Sequence, residues 1–254
     1  MLLKQLYILK KVKNFLSGFL SKVRPKIISI PINQCRHYCG FRYGSQSLNP
    51  YEQYIIGLHQ GKSVEELREN FEDFLRYYRP QNFGDVLGVE LSRHIPLWLY
   101  PWVDSEDFPD NNGWLDTIDE IPDVMTHFCS QGIKKYQIKR EYFWLERAYD
   151  VISNYGYKPL DYSYIEVTEL QKKNQSVFIV TDGNHRLSTL SALGFKDVKV
   201  KLNTFGKVKE RNFYKWKQIS IQRYTKTEAL AIFHAYFDGV SEFKKSKSPA
   251  QIID

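Results

Sequence analysis

Apolar positions recur along this chain in two rhythms, and the change of rhythm marks a change of architecture. In "SVEELRENFEDFLRYY" (63–78) Val64, Leu67, Phe71, Phe74/Leu75 and Tyr78 fall on one helical face. Ser63 with Glu66 three residues on predicts a capping box, and Pro80 a stop. Residues 50–59 read as a short helix. Residues 25–50 carry Pro25, Pro31, Gly40, Gly44 and Pro50 and read as irregular. Residues 80–123 form a long connection with a turn at "DFPDNNGW". Within it "HIPLWLYPW" (94–102) reads as core, with a lid or a sugar-stacking surface as the alternatives.

From about 136 the pattern becomes that of an α/β unit. "YFWLERAYDVISNYGY" is helical, with Leu145, Tyr149 and Val151/Ile152 on one side and Gly156 as its stop. "PLDYSYIEV" alternates like a strand. "SVFIVT" is apolar and β-branched, like a strand buried on both faces. "DGNHR" follows, then the helix "LSTLSALG", then "VKVKL", which alternates again. A tail helix, "TKTEALAIFHAYFDG", turns Ala229, Ile232/Phe233 and Tyr236/Phe237 inward. The fold class expected is α/β.

Charge alters this picture at one end only. The 254-residue chain carries a formal net charge of +7. Residues 1–26 contain Lys4, Lys10, Lys11, Lys13, Lys22, Arg24 and Lys26 and no acid; the first acid is Glu52. Setting those seven aside leaves 29 basic against 29 acidic residues, a neutral body. A neutral body argues against nucleic acid as the partner, which needs a basic footprint on the folded domain. Leu2, Leu6, Leu9, Phe15/Leu16, Phe19/Leu20 and Val23 share a face of the arm. It therefore reads as a basic amphipathic helix, resting either on an anionic inner leaflet or on protein. Lysines interrupt it too often for a transmembrane span or a signal peptide. Three cysteines, Cys35, Cys39 and Cys129, fit a reducing, cytoplasmic compartment, peripheral to the membrane if the arm binds there.

The chemistry concentrates where the buried strand meets its helix. Free amides at a helix N-terminus suit phosphate oxygens, and the helix dipole favours negative charge. Gly183 permits a close backbone approach. Arg186 can fork two oxygens, and His185 can donate a proton or shuttle one. Asp182 can hold magnesium, which nucleotide phosphates bring with them. Ser188 and Thr189, one turn in, can reach a phosphate or metal. The plainer alternative is that Asp182 caps the helix and Arg186 pairs with an acid.

"DGNHRLSTLSALGFKDVKV", preceded by a helix, "GY" and two strands, resembles the ParB/sulfiredoxin superfamily over about residues 136–203. The resemblance implies a mixed α/β nucleotide-binding core there, with mostly helical extensions. The divisions expected are an arm (1–26), a helical or irregular extension (27–135), the core (136–203) and a C-terminal helical extension (204–254). It implies nucleotide contacts at Asp182, Gly183, Asn184, His185 and Arg186, with Ser188 and Thr189 behind them. Asn184 stands where sulfiredoxins carry their cysteine, which departs from sulfinic-acid reduction. The turn also departs from the Gly-Glu-Arg-Arg of chromosome-partition proteins, and the tail is too short for their DNA-binding domain. It is nearest to the Asp-Gly-His-Thr-Arg of free-serine kinases, which use a glutamate before the upstream helix. It is similar too to ParB-like proteins of bacterial surface-polysaccharide loci.

Glu141, fifteen residues before Gly156, is the matching carboxylate, with Glu146 as fallback. The resemblance thus implies a kinase using ATP, or another nucleoside triphosphate, with Mg2+. It would phosphorylate a hydroxyl of a small molecule such as a sugar in surface-polysaccharide synthesis. Glu141, Asp182 and His185 are its expected catalytic residues. The alternatives are a non-catalytic CTP or ATP switch, or a ParB-like nucleic-acid binder. Elsewhere, "CRHYC" (Cys35, His37, Cys39) offers three zinc-ligand types, though at a spacing unlike that of common zinc modules. His234 reads as a satisfied core residue.

Overall fold

The computed structural model describes residues 26–44, 47–97, 99–104 and 133–240, together with 242, 244, 245, 247, 252 and 253. The arm (residues 1–25), residues 105–132 with the "DFPDNNGW" turn, and Cys129 lie outside the described residues, so the readings made for them stay as stated. In chain order the strands are β1 (Ile27–Pro31), β2 (Cys35–Arg36), β3 (Ile133–Lys134), β4 (Ile165–Lys172), β5 (Gln175–Asp182), β6 (Asp197–Lys209) and β7 (Ile252–Ile253). The α-helices are α1 (Pro50–His59), α2 (Val64–Tyr77), α3 (Phe83–Leu87), α4 (Lys135–Tyr155), α5 (Pro159–Tyr162), α6 (Asn184–Ala192), α7 (Lys217–Ser220) and α8 (Lys226–Asp238). The fold is α/β.

A five-stranded mixed sheet in the order β1-β6-β4-β5-β2 forms the centre. β4 and β5 make an antiparallel hairpin, β6 runs parallel to β4, and β2 runs parallel to β5. Consecutive residues of β5 face opposite ways. Phe178 and Val180 pack with Leu187 and Leu190 of α6 and Ile152 of α4. Val177 and Ile179 join the larger core, with Phe71 and Phe74 of α2 and Ile232, Phe233 and Tyr236 of α8. Both faces are covered, which is why this strand reads as an uninterrupted apolar run.

The sheet crosses the boundary expected at residue 136. Its two edge strands, β1 and β2, come from the stretch read as irregular or helical. β1 pairs antiparallel with β6 from Ile27↔Lys201 to Pro31↔Asp197, and β2 sets Cys35 opposite Phe178. The residues after β2 are tied to the tail. Arg36 Nε donates to the Tyr236 carbonyl at 2.8 Å and Nη2 to that of Phe237; Arg42 donates to that of Asp238. These are the last carbonyls of α8, which have no partner within the helix. The Tyr236 hydroxyl donates to the Tyr38 carbonyl at 2.8 Å.

Several local expectations are corrected. "PLDYSYIEV" is a one-turn helix, α5, then a break at Ser163 (φ 75°), and the strand starts only at Ile165. Ser63 caps α2 through the Glu66 amide, but its hydroxyl donates to Glu65 and no reciprocal capping box forms. The capping boxes are at Asn82–Asp85 on α3 and Thr225–Glu228 on α8. His234 is satisfied, by Glu210 Oε1 at 2.5 Å, but it stands 37% exposed rather than in the core. Ile95, Leu97, Leu99 and Trp102 are buried, as the core reading of residues 94–102 requires. Among the described residues, no helix is long and apolar enough to cross a membrane.

Glu52 of α1 is fully buried, yet it accepts from Ser191 Oγ on α6 at 2.6 Å and from the Gly44 amide. Burial lifts its carboxyl from 4.5 to about 7, against the pull of those donors. A carboxyl raised in the folded chain is protonated there while still ionised in the unfolded one. Stability from this group therefore falls as pH rises from about 4.5 to about 7. Glu52→Gln should remove that slope. Urea unfolding at pH 5 and pH 8 should show the variant gaining roughly 2–3 kcal/mol relative to the parent across the interval; parallel profiles would contradict a raised Glu52.

Candidate active site

The turn between β5 and α6 is built on one residue. Gly183 is the N-cap of α6 and sits at φ +88°. A Cβ there would lie 2.8 Å from Arg186 Nη2 and 2.9 Å from Ile165 Cγ1. No side chain caps α6, so the Asp182 capping alternative fails. The first-turn amides of Asn184, His185 and Arg186 precede any intrahelical partner, since the helix ladder starts at Leu187 donating to Gly183.

These residues line one wall of a cavity of about 530 Å³, within the size range of ligand sites. Arg140, Glu141, Trp144, Arg147, Ala148, Val151 and Ile152 of α4 form the facing wall. Tyr162 and Ser163 close one end, and His37, Tyr38 and Tyr51 complete the lining. Among the described lining residues, three arginines stand beside two carboxylates, Glu141 and Asp182.

Glu141 and His185, 44 residues apart in sequence, meet at 2.9 Å, His185 Nε2 to Glu141 Oε2. Glu141 is buried and the His185 side chain is 26% exposed. Glu141 is the seventh residue of the 21-residue α4, so neither a place before the helix nor a helix-terminal role describes it. The fallback Glu146 does not line the cavity: Arg68 grips both its oxygens and the Tyr54 hydroxyl donates to it.

Arg186 has its fork already engaged. Nη1 donates to the carbonyls of Tyr162 and Ser163, at 3.1 and 2.6 Å, and Nη2 to Asp182 Oδ2 at 2.9 Å. It thereby holds the left-handed Ser163 and balances Asp182, as the ion-pair alternative foresaw, and brings positive charge to the wall. Asp182 is half-exposed and uses one oxygen, leaving the other for a cation. Asn184 accepts from the Tyr43 hydroxyl at 2.9 Å. Ser188 and Thr189 are corrected: both are fully buried, neither lines the cavity, and Thr189 donates back to the His185 carbonyl. Ser188 lies one turn below Asn184, sealed from the cavity next to Tyr43.

Sequence reasoning missed the residues around this centre. His37 had been read only as a weak zinc-ligand type. Cys35 and Cys39 belong to different core clusters, and no group of three or more His, Cys, Asp or Glu among the described residues could hold a metal ion. The His37 ring is fully buried against Tyr38 and Tyr51, with centroids 4.0 and 4.9 Å away. Its Nδ1 accepts from the Cys39 amide, so Nε2 carries the proton, and that atom has no partner. Burial, then the nearby His185, hold its pKa well below the usual range, so the ring stays neutral. Trp144, Arg140 and Arg147 carried one available signal: aromatic and basic residues within six positions of Glu141 on a helix whose apolar face was already assigned.

Comparison of the chain with protein-family models, curated proteins and solved structures returns no match.

Gly183→Ala should cost about 1–3 kcal/mol in thermal or urea unfolding, from its positive φ and the two close contacts. A neutral result would mean that this turn is not the constraint its geometry indicates.

Proposed function

We propose that the cavity binds a nucleoside triphosphate with magnesium, and that the protein is a phosphotransferase acting on a hydroxyl of a small acceptor. One observation carries the reading. A buried carboxylate, Glu141, is held by His185 in a cavity that Arg147, unpaired among the described residues, also lines and whose other wall is an uncapped helix N-terminus. Phosphoryl transfer asks a protein for those two things: a group to receive the hydroxyl proton, and donors and positive charge facing the phosphates.

The residues fit such a ligand. The amides of α6 face its anionic part, with Arg186, paired to Asp182, beside them. Asp182 offers its second oxygen to magnesium, which needs only one or two carboxylates beside phosphate and water. The bound nucleotide and cation supply the phosphoryl group and neutralise its charge. Glu141 Oε1 accepts the acceptor's proton, while Oε2 stays on His185, which fixes the carboxylate's direction. ATP as the nucleotide, and a sugar of surface-polysaccharide synthesis as the acceptor, follow from the resemblance of the "DGNHR" turn.

Isothermal titration with MgATP and MgCTP, followed by a nucleotide-turnover assay, tests this. Glu141→Gln keeps a hydrogen bond to His185 and should bind MgATP within about twofold of the parent, while turnover drops on the order of 10²–10⁴-fold. Binding without turnover in the parent would turn the reading into a nucleotide switch. No binding of either nucleotide would end it.

A further inference from the structure

The acceptor end of the cavity has a chemical character of its own. On the phosphotransferase reading, the reacting hydroxyl must lie at Glu141. Trp144 follows one turn later on α4 and Arg147 about two turns later, and both line the cavity. Trp144 is 43% exposed and lines the same cavity as Glu141, so it is no core filler. The Arg147 guanidinium lies 5.8 Å from the Trp144 ring centre and 5.9 Å from that of Phe143. Stacking against rings fixes a guanidinium without consuming its donors.

Arg147 forms no ion pair with a described residue. The nearby acids are engaged elsewhere: Glu146 by Arg68 on another face of α4, and Glu141 by His185. On the facing wall Arg186 is matched by Asp182. The unbalanced charge in the lining therefore includes Arg147, beside an exposed indole and the apolar Ala148 and Val151.

We infer that Trp144 and Arg147 form an acceptor subsite selecting an anionic monosaccharide, with the sugar ring on the indole and its phosphate or carboxylate on the guanidinium. The apolar face of a pyranose suits the exposed part of the indole left by Arg147, and a planar fork suits a two-oxygen anion. A neutral sugar would use the first and leave the second idle. The inference rests on the phosphotransferase reading for the place of the hydroxyl, and narrows its acceptor.

The test is titration of the full chain, with and without MgATP, using glucose, glucose 6-phosphate and glucuronate, followed by saturation-transfer NMR and calorimetry. Glucose 6-phosphate or glucuronate should bind about tenfold or more tighter than glucose, and the tighter of the two identifies the anion as phosphate or carboxylate. Arg147→Ala should erase that preference and Arg147→Lys retain part of it. Trp144→Ala should weaken all three sugars while leaving MgATP binding as it was. Both side chains are exposed, so melting temperatures should stay within a few degrees of the parent's, and a binding loss then reports the subsite. Equal affinity for glucose and the anionic sugars, no binding of any of them, or a preference that survives Arg147→Ala would overturn the inference. So would a Trp144→Ala variant that loses MgATP instead of sugar, which would place a nucleobase on the indole. If MgATP fails to bind the parent, the phosphotransferase reading falls, while the sugar titrations still decide the subsite.

Discussion

The site depends on a constraint at Gly183. A strand buried on both faces must hand the chain to a helix without interposing a loop, and the connecting residue must take positive φ with no room for a side chain. Only glycine meets both conditions at little cost. Once it is there, the rest of the turn follows. The α6 amides open on the cavity, His185 reaches across to α4, and Arg186 folds back beneath Gly183 to hold Tyr162 and Ser163. The guanidinium that would block a Cβ is the one that pins the facing loop. Turn geometry and loop position are thus set by the same contact.

A second layer of support comes from the chain ends. Arg36 and Arg42 donate to the terminal carbonyls of α8, and Tyr236 donates to the Tyr38 carbonyl. Burial lowers the Arg36 pKa to about 10, which still leaves it charged at neutral pH. A buried guanidinium is tolerable only when its donors are used, and the open end of α8 supplies acceptors at the dipole's negative pole. The segment carrying His37 and Tyr38 into the cavity is therefore clamped by a helix about 200 residues away in sequence.

The division between what the sequence disclosed and what it hid follows sequence separation. The β5–Gly183–α6 junction was legible because its determinants are adjacent: a β-branched run, one glycine and a polar helix start. Glu141 was legible through the resemblance, since nothing local distinguishes it from Glu146; only the fold shows that Arg68 takes one and His185 the other. β2 is two residues long and exists because β5 offers an edge, so no periodicity could reveal it or the burial of His37 beside it. That the sheet draws on strands from before residue 136 was hidden for the same reason: β1, with its terminal proline, has too little pattern of its own. Ser188 and Thr189 were not legible as buried, because residues one turn beyond the N-terminus are covered by segments distant in sequence, such as that carrying Tyr43.

On the phosphotransferase proposal, the cavity would separate proton handling from charge handling. Arg147 brings positive charge to an exposed part of the lining, whereas Arg186 is matched by Asp182. The floor is neutral: burial raises the Tyr38 and Tyr51 hydroxyls well above their usual range and lowers His37 well below its own. Glu141 stands at the junction, buried but tied to the partly exposed His185. A carboxylate with cations on one side and uncharged rings on the other can take a proton without losing its place, because its anchor is a hydrogen bond that survives in either state. A basic surface for nucleic acid would need the cations spread over an exposed face. On the proposed reading the cavity would instead take a small anionic ligand.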